Sequence, residues 1–259
     1  MPSDFLNITI VQPEITWEDK AANLARYEQM IAGAEHKEVV VLPEMFSTGF
    51  SMAAEKLAEP MSGASVRWMK DMARKYRCIV TGSLIIVDEG KYYNRLLWVQ
   101  PDGNLGYYDK RHLFAYANED KHYSRGEKRL IAQLNGWRVC LMVCYDLRFP
   151  VWSRNLDGAY DVLIYVANWP ERRSLAWRTL LQARAIENQS YVIGVNRVGT
   201  DANAISYAGE SSVFGPLGET LWQHAGGSTT HTISLDKQEL DETRSHFPFL
   251  NDADRFMIP

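Results

Sequence analysis

Short runs of almost uninterrupted apolar residues recur along the chain, and they constrain its fold more than any other feature. The runs are FLNITIVQP, VVVLPE, WRVCLMVC, YDVLIYVANWP and YVIGVNRVG. A run of this length and composition is typical of a strand that is covered on both faces. We therefore expect the centre of the molecule to be β-sheet packed between other layers.

Segments with helical periodicity separate several of these runs. In TWEDKAANLARYEQMIAGA, Thr16 can cap a helix, and one face of that helix carries Ala21, Leu24, Tyr27 and Ile31. SVRWMKDMARKY and SLAWRTLLQARAIENQ are also helical, whereas the middle and the end of the chain hold strand runs with turns at PDGN and GPLG. This mixture predicts an α/β or α+β layered fold with sheets that are not wholly parallel, rather than a helical bundle or an all-β barrel.

Length and composition favour one ordinary globular domain over residues 1–259. The chain has no linker, low-complexity tract or solenoid repeat, and 46% of its residues are hydrophobic. The net charge of −4 argues against nucleic acid as a partner, because nucleic acid binding needs a concentrated positive field. No basic run suggests a membrane surface, and no apolar segment approaches the length of a membrane span.

The cysteines and the first residues indicate the compartment. Cys78, Cys140 and Cys144 are an odd number in a long chain, which does not suit a disulfide framework. The segment MPSDFLNITI lacks the basic and apolar regions of a secretory signal. We therefore expect a cytoplasmic protein with reduced thiols.

Charged residues follow the ends of two predicted strands. Glu44 comes directly after VVVLP, and Lys110 ends the segment YYDK. Each could be an ordinary surface charge. In a cleft, however, a half-desolvated carboxylate can serve as a general base, and a fixed ammonium can stabilise an oxyanion. Sites in layered α/β folds collect at such strand ends.

A cysteine follows the end of a third strand. Free cysteines are commonly buried and inert, and we assign Cys78 and Cys140 to that class. Cys144 differs because it lies just before a predicted helix start, where exposed backbone N–H groups lower the pKa of a thiol. Together with Glu44 and Lys110, it supplies the nucleophile, base and cation that covalent catalysis requires.

The segments LPEMFSTGF, YYDKRHLF and VCYDLRFP resemble, in order and spacing, the three signature blocks of the nitrilase superfamily, the carbon–nitrogen hydrolases. The resemblance covers nearly the whole chain. It implies a four-layer α-β-β-α sandwich with two mixed sheets, and a triad of Glu44, Lys110 and Cys144. It also implies a second glutamate seven residues before a glycine, which is Glu119 with Gly126 in this chain.

Longer segments most resemble the omega-amidase branch of that superfamily. They are YYDKRHLFAYANED, VCYDLRFPVWSRN, VANWPERRSLAWRTLLQARAIENQ and VNRVGTDANAISYAGESSV. This resemblance implies hydrolysis of the terminal amide of 2-oxo dicarboxylic acid monoamides, such as 2-oxoglutaramate and 2-oxosuccinamate, to dicarboxylate and ammonia through a cysteine thioester. The alternatives are another small amide, an N-carbamoyl compound or a nitrile on the same triad, and a catalytically silent scaffold protein.

The resemblance also bears on assembly. It implies a homodimer that pairs through helices. The C-terminal tail, residues 246–259, resembles one that crosses such a dimer interface, and a tail packed on its own subunit is an equal possibility.

Residues near the thiol are candidates for binding the substrate. The backbone N–H of Tyr145 is expected to stabilise the oxyanion together with Lys110. A substrate carboxylate needs a guanidinium, and Arg148, Arg172 and Arg173 are available. Arg148 could equally form an ion pair with Asp146 or another local acid, and the other two arginines could be solvated.

Three further candidates lie near strand ends. Asn168 could donate a hydrogen bond to the substrate, and Trp169 and Phe46 could form the pocket wall or belong to the core. None of the six histidines shows metal-ligand spacing, and His112 is expected to pack or to support the site. No G-x-G-x-x-G or P-loop pattern follows a strand, so we expect neither a metal nor a cofactor.

Overall fold

Two mixed β-sheets form the centre of the computed structural model, which describes residues 3–257. The strands, numbered in chain order, are β1 Phe5–Gln12, β2 Val39–Val41, β3 Ile79–Asp88, β4 Lys91–Val99, β5 Leu105–Asp109, β6 Leu130–Leu134, β7 Trp137–Val143, β8 Val162–Val166, β9 Tyr191–Val195, β10 Val198–Thr200, β11 Ser206–Phe214, β12 Thr220–Ala225 and β13 Thr229–Asp236. The helices are α1 Lys20–Ala32, α2 Ala54–Leu57, α3 Ala64–Tyr76, α4 Glu119–His122, α5 Pro150–Ser153, α6 Ser174–Asn188 and α7 Lys237–His246.

Each sheet combines parallel and antiparallel pairs. The first sheet has the order β13-β1-β2-β3-β4-β5, in which β1, β2 and β3 are parallel. The second has the order β10-β11-β9-β8-β7-β6, with β7, β8 and β9 parallel and β12 added against β11. The turns predicted at PDGN and GPLG join β4 to β5 and β11 to β12.

The residues of β2 show how the layers form. Val39 and Val41 lie in the core between the sheets, whereas Val40 points the other way into a second core. In that second core, Tyr27 of α1 and Met69 of α3 cover the outer face of the first sheet. A strand that is apolar at every position therefore has both faces covered, as the run VVVL predicts.

Helix α6 covers the outer face of the second sheet. Its Trp177 and Leu181 approach β9 so closely that a Cβ on Gly194 would lie 2.4 Å from Leu181 Cδ1. The predicted four-layer α-β-β-α sandwich is therefore confirmed. No helix within residues 3–257 combines the length and apolarity needed to cross a membrane.

Helix α1 begins later than predicted. Its N-cap is Asp19, whose carboxylate accepts the N–H of Ala22, so the assignment of the cap to Thr16 was wrong. Ala21 is exposed, and the buried positions are Asn23, Tyr27 and Ile31. The C-terminal tail contains a 3-10 turn at Phe249–Asp252, and its last two residues lie outside the described range.

Candidate active site

The ends of four strands bring the predicted site residues together. Glu44 follows β2 and Lys110 follows β5 in the first sheet, whereas Cys144 follows β7 and Asn168 follows β8 in the second. Contacts between Glu44 and Asn168 span the two sheets: the Asn168 backbone N–H donates to Glu44 Oε2 at 2.9 Å, and Asn168 Nδ2 donates to the Glu44 carbonyl at 2.6 Å. The site therefore forms where the two sheets meet.

Glu44, Lys110 and Glu119 form a buried ionic cluster. Lys110 Nζ lies 2.8 Å from Glu44 Oε1 and 2.9 Å from Glu119 Oε2, and all three side chains are fully buried. Glu119 Oε2 also accepts the backbone N–H of Phe114 at 2.6 Å. Both carboxylates thus depend on one ammonium for their charge balance.

The negative groups determine how Lys110 titrates. Burial alone would lower the pKa of Lys110, but the charges of Glu119 and Glu44 and a thiolate at Cys144 raise it above its usual value. The ammonium is therefore charged at every physiological pH. Burial raises the pKa of Glu119, and the attraction of Lys110 opposes that rise.

The thiol of Cys144 faces this cluster. Burial raises the pKa of the thiol well above its usual value, and the charge of Glu44 and a hydrogen bond to it add to the rise, while Lys110 opposes it. The expected lowering by a helix N-terminus was wrong. The segment after β7 is a short 3-10 turn, Cys144–Arg148, and its effect is smaller than burial beside two carboxylates. The resting thiol is protonated and needs a base.

The other two cysteines lie in the core. Cys78 and Cys140 are buried, and burial raises the pKa of Cys78 to about 11 and that of Cys140 to about 12. Cys144 is only partly buried and lines a cavity. Of the three, it alone combines access to a ligand with a neighbouring base.

Three non-glycine residues at the site have left-handed backbone conformations. Cys144 has φ +44°, Met45 next to Glu44 has φ +42°, and Asn118 next to Glu119 has φ +60°. Such conformations cost about 1–3 kcal/mol each in strained cases. They turn the chain sharply where each side chain must leave its strand or loop for the cluster.

Asp146 joins the 3-10 turn Cys144–Arg148 to the segment 108–112, which contains Lys110 and is called the lysine segment below. Its carboxylate accepts hydrogen bonds from the hydroxyl of Tyr108 at 2.7 Å, the backbone N–H of His112 at 3.0 Å and that of Val143 at 3.0 Å. His112 Nδ1 is also 2.7 Å from Asp146, and its ring stacks on Phe149. His112 thus has the supporting position expected from the sequence.

Gly126 lies against the end of β5, beside Asp109 and Lys110. Its N–H donates to the Lys110 carbonyl at 3.0 Å, and a Cβ at this position would lie 2.1 Å from the carbonyl oxygen of Asp109. No side chain fits there unless β5 moves. Close packing against β5 therefore explains why position 126, seven residues after Glu119, is a glycine.

A cavity of about 310 Å³ opens beside Cys144. It is lined by aromatic and polar residues, among them Phe50, Phe114, Tyr116, Tyr145, Arg148, Asn168, Trp169, Arg172, Arg173 and Tyr207. Phe46 does not line it. Its ring is fully buried against Tyr27 and Trp68 in the core below α1 and α3, so its placement in the pocket wall was wrong. Phe50, four residues later, takes that place.

Three guanidinium groups face this cavity. Arg148 lies 5.0 Å from the ring centroid of Trp169, and Arg173 lies 5.3 Å from that of Phe114. Several other arginines of the described chain form ion pairs, for example Arg95, Arg138 and Arg178, but within residues 3–257 none of Arg148, Arg172 and Arg173 does. The alternative of an ion pair between Arg148 and Asp146 is therefore wrong, because Asp146 binds the lysine segment instead.

These arginines affect one another electrostatically. The pKa of Arg173 is lowered by burial and by the positive charges of Arg172 and Arg148. An anion in the cavity would relieve that repulsion. Asp201 also lines the cavity, but its carboxylate already accepts from the Tyr207 hydroxyl and from two backbone N–H groups.

Sequence reasoning missed one residue of the cluster. Asn94 of β4 donates to Glu44 Oε1 at 2.8 Å and to Glu119 Oε1 at 3.2 Å. The available signal was an asparagine inside the otherwise strand-like run YYNRLLWV. Within residues 3–257, no group of three or more His, Cys, Asp or Glu side chains is arranged to hold a metal ion.

Comparison with known proteins agrees with this geometry. The family model described as carbon-nitrogen hydrolase matches residues 7–245. The chain is 46% identical to the omega-amidase YafV of Escherichia coli K12 over 98% of both chains, and 32% identical to the 2-oxoglutaramate amidase of Bacillus subtilis over 95% of this chain and 96% of that protein.

Solved structures show the same fold. A carbon–nitrogen hydrolase superfamily protein of Xanthomonas campestris, crystallised with an arsenic adduct in its active site, is 42% identical and superposes with a TM-score of 0.96 over 99% of this chain and 100% of that one. Nit3 of Saccharomyces cerevisiae, a nitrilase superfamily member, is 26% identical with a TM-score of 0.86 over 95% and 96% of the two chains. The chain described here belongs to the carbon–nitrogen hydrolase family of the nitrilase superfamily.

Proposed function

We propose that this protein is an omega-amidase, which hydrolyses the terminal amide of 2-oxo dicarboxylic acid monoamides such as 2-oxoglutaramate and 2-oxosuccinamate. The products are the dicarboxylate and ammonia. The observation that carries the proposal is the set of three guanidinium groups, free of carboxylate partners within the described chain, around a cavity that ends at a thiol. The names of the relatives in Escherichia coli and Bacillus subtilis support it.

The arrangement of the guanidinium groups fits a substrate with a free carboxylate at one end. A carboxylate bound near Arg148 and Arg173 would reduce the repulsion between these guanidinium groups and would accept charge-assisted hydrogen bonds from them. The amide at the other end of a short chain then lies toward Cys144. Phe50, Phe114 and Tyr207 enclose the apolar middle of such a molecule.

The buried cluster supports covalent catalysis. Because burial keeps the thiol of Cys144 protonated at rest, Glu44 removes its proton as sulfur attacks the amide carbon. Negative charge then develops on the amide oxygen. The ammonium of Lys110 and the backbone N–H of Tyr145, in the first turn after β7, stabilise that oxyanion.

The second half of the reaction uses the same groups. The proton held by Glu44 passes to the departing nitrogen, the carbon–nitrogen bond breaks, and ammonia leaves a thioester on Cys144. Water then enters, Glu44 accepts one of its protons, and attack on the thioester releases the dicarboxylate and restores the thiol. Glu119 and Asn168 hold Lys110 and Glu44 in place throughout.

The proposal is tested by ammonia release from a panel of amides. We expect 2-oxoglutaramate and 2-oxosuccinamate to be turned over with a kcat/KM about 10- to 100-fold above those of a neutral short-chain amide, an N-carbamoyl amino acid and a nitrile, because a charge-assisted pair contributes about 1.5–3 kcal/mol. If a neutral amide or an N-carbamoyl compound were the best substrate, the triad would serve hydrolysis of that class of compound instead of the 2-oxo acid monoamides. No turnover of any amide would favour a scaffold protein.

The arginines provide a more specific prediction. Replacing Arg173 by methionine is expected to raise the KM for 2-oxoglutaramate about tenfold or more and to leave neutral amides little changed, because only the charged substrate loses a charge-assisted bond. Arg178→Met is the matched control. Arg178 lies in α6, which begins directly after Arg173, but it pairs with Glu210 and does not line the cavity. Equal losses for charged and neutral substrates would contradict carboxylate binding by Arg173.

We also propose that the protein is a cytoplasmic homodimer that pairs through helices. Apolar side chains exposed on α5 and α6 support this: Val151, Leu175 and Ile186 are each more than half exposed. Sedimentation of the purified protein measures the assembly. We expect a dimer, and a monomer at micromolar concentration would contradict the proposal.

A further inference from the structure

Asn94 contacts every charged member of the catalytic cluster. Its side-chain amide donates one hydrogen bond to Glu44 Oε1 at 2.8 Å and one to Glu119 Oε1 at 3.2 Å. Its backbone carbonyl accepts the N–H of Lys110 at 3.0 Å. The residue is fully buried in β4, and it is not among those that line the cavity.

The orientation of this amide is dictated by the two carboxylates. Both hydrogens of Asn94 Nδ2 are used by Glu44 and Glu119, and the buried Oδ1 has no hydrogen-bond partner within residues 3–257. The opposite orientation would place a carbonyl oxygen against two carboxylates. A buried acceptor without a partner is unfavourable, and a residue selected only for packing would avoid it. The contacts to the carboxylates must outweigh that cost.

The charge balance of the cluster explains the need for these donors. Glu44 and Glu119 share one ammonium, and burial disfavours the charged form of any carboxylate. Two N–H dipoles aimed at the carboxylates stabilise their ionised forms without adding a second cation. A second cation near the cluster would favour loss of the proton from the Cys144 thiol. It would also pair with Glu44 and weaken it as a base.

We propose that Asn94 is a positioning residue that holds both carboxylates through hydrogen bonds and directs Glu44 toward Cys144. It does not touch the substrate. The inference concerns the same site as the proposed omega-amidase activity, but it applies to any reaction in which Glu44 takes the proton of Cys144.

The test replaces Asn94 by leucine, which keeps the branched shape of the side chain and removes both donors. Without them, the charged forms of both carboxylates lose hydrogen bonds that stabilise them. We expect the acidic limb of the kcat/KM profile to move up by about one pH unit and kcat/KM at neutral pH to fall about 10- to 100-fold, as for the loss of a charge-assisted hydrogen bond. Asn94→Ser, which retains one donor, is expected to give a smaller shift.

Asn155→Leu is the matched control. Asn155 is equally buried, and its amide also donates two hydrogen bonds, but both go to the backbone carbonyls of Tyr160 and Asn188. This change is expected to lower the unfolding temperature without moving the acidic limb. If the acidic limb of the kcat/KM profile moved in both Asn94→Leu and Asn155→Leu, the shift would report a general loosening of the fold, which would contradict the role proposed for Asn94.

A second readout needs no substrate. The rate at which iodoacetamide alkylates Cys144 depends on proton removal by Glu44, so its lower-pH midpoint should rise in Asn94→Leu by the same amount as the kinetic limb. This arm tests Asn94 even if 2-oxo monoamides prove not to be substrates. Unchanged midpoints in folded Asn94→Leu and Asn94→Ser, with kcat/KM within threefold of the original, would overturn the proposal.

Discussion

Replacing Cys144 by alanine is expected to reduce amide hydrolysis by about 10⁴-fold or more while the protein remains folded. Among the residues 3–257 that the structure describes, the thiol of Cys144 is the cysteine sulfur that borders the cavity and faces Glu44. Without it, no thioester forms, and Glu44 has only water to activate. The side chain is small and only partly buried, and it packs against the core between the sheets without belonging to it, so we expect its truncation to leave the protein folded.

Two measurements check this expectation. Ammonia release measures turnover, and mass spectrometry of acid-quenched enzyme detects an acyl adduct in the original protein and none in Cys144→Ala. Cys140→Ala serves as the control, because Cys140 is fully buried four residues earlier on β7 and should keep activity within a small factor. Substantial turnover by Cys144→Ala, or complete loss in a folded Cys140→Ala protein, would contradict the assignment of the nucleophile.

Replacing Lys110 by methionine is expected to damage both catalysis and stability. Activity should fall about 10³-fold or more, because the oxyanion loses its cation and Glu44 loses a partner that holds it. The unfolding free energy should fall by about 3–5 kcal/mol, because two buried carboxylates remain without their shared counter-charge. Lys56→Met, which breaks an exposed ion pair with Glu18, should cost less than about 1 kcal/mol.

The stability of Lys110→Met should also depend on pH. Burial already raises the pKa of Glu119 above its ordinary value of 4.5, and loss of Lys110 removes the attraction that opposes that rise. A carboxyl with a raised pKa binds more protons in the folded state than in the unfolded state. The unfolding free energy of the Lys110→Met protein therefore falls as the pH rises above the ordinary pKa of the carboxyl. Urea unfolding at pH 5 and pH 8 should show a larger deficit at pH 8, and an equal deficit would contradict the charge argument.

The sequence was sufficient for the layers and for the charged cluster. A run such as VVVL has no polar position, so both of its faces must be covered, and Val39, Val40 and Val41 divide between two cores as expected. Glu44, Lys110 and Cys144 each lie at or soon after the end of a strand, and the resemblance to the nitrilase superfamily grouped them as a triad. The sequence indicated that the chain leaves the sheets after those strands, but it did not indicate the left-handed conformations of the turns.

Other features depend on three-dimensional detail. Phe46 and Phe50 both follow Glu44, and the path of the chain between them, with left-handed residues at Met45 and Gly49, puts the first ring in the core and the second at the cavity. The pKa of the Cys144 thiol depends on how much burial and carboxylate charge surround it, which a short motif does not reveal. Asn94 was missed because its partners lie 50 and 25 residues away along the chain.

The left-handed backbone at Cys144, Met45 and Asn118 matters for anyone who would transplant this chemistry onto another scaffold. Copying the acid, the amine and the thiol would reproduce the functional groups but not the directions in which they leave the main chain. Those directions are maintained against local preference by the surrounding sheets. A designed host would have to supply the same bends and enough rigidity to hold them, so loops grafted onto a softer framework should relax and let the three groups drift apart.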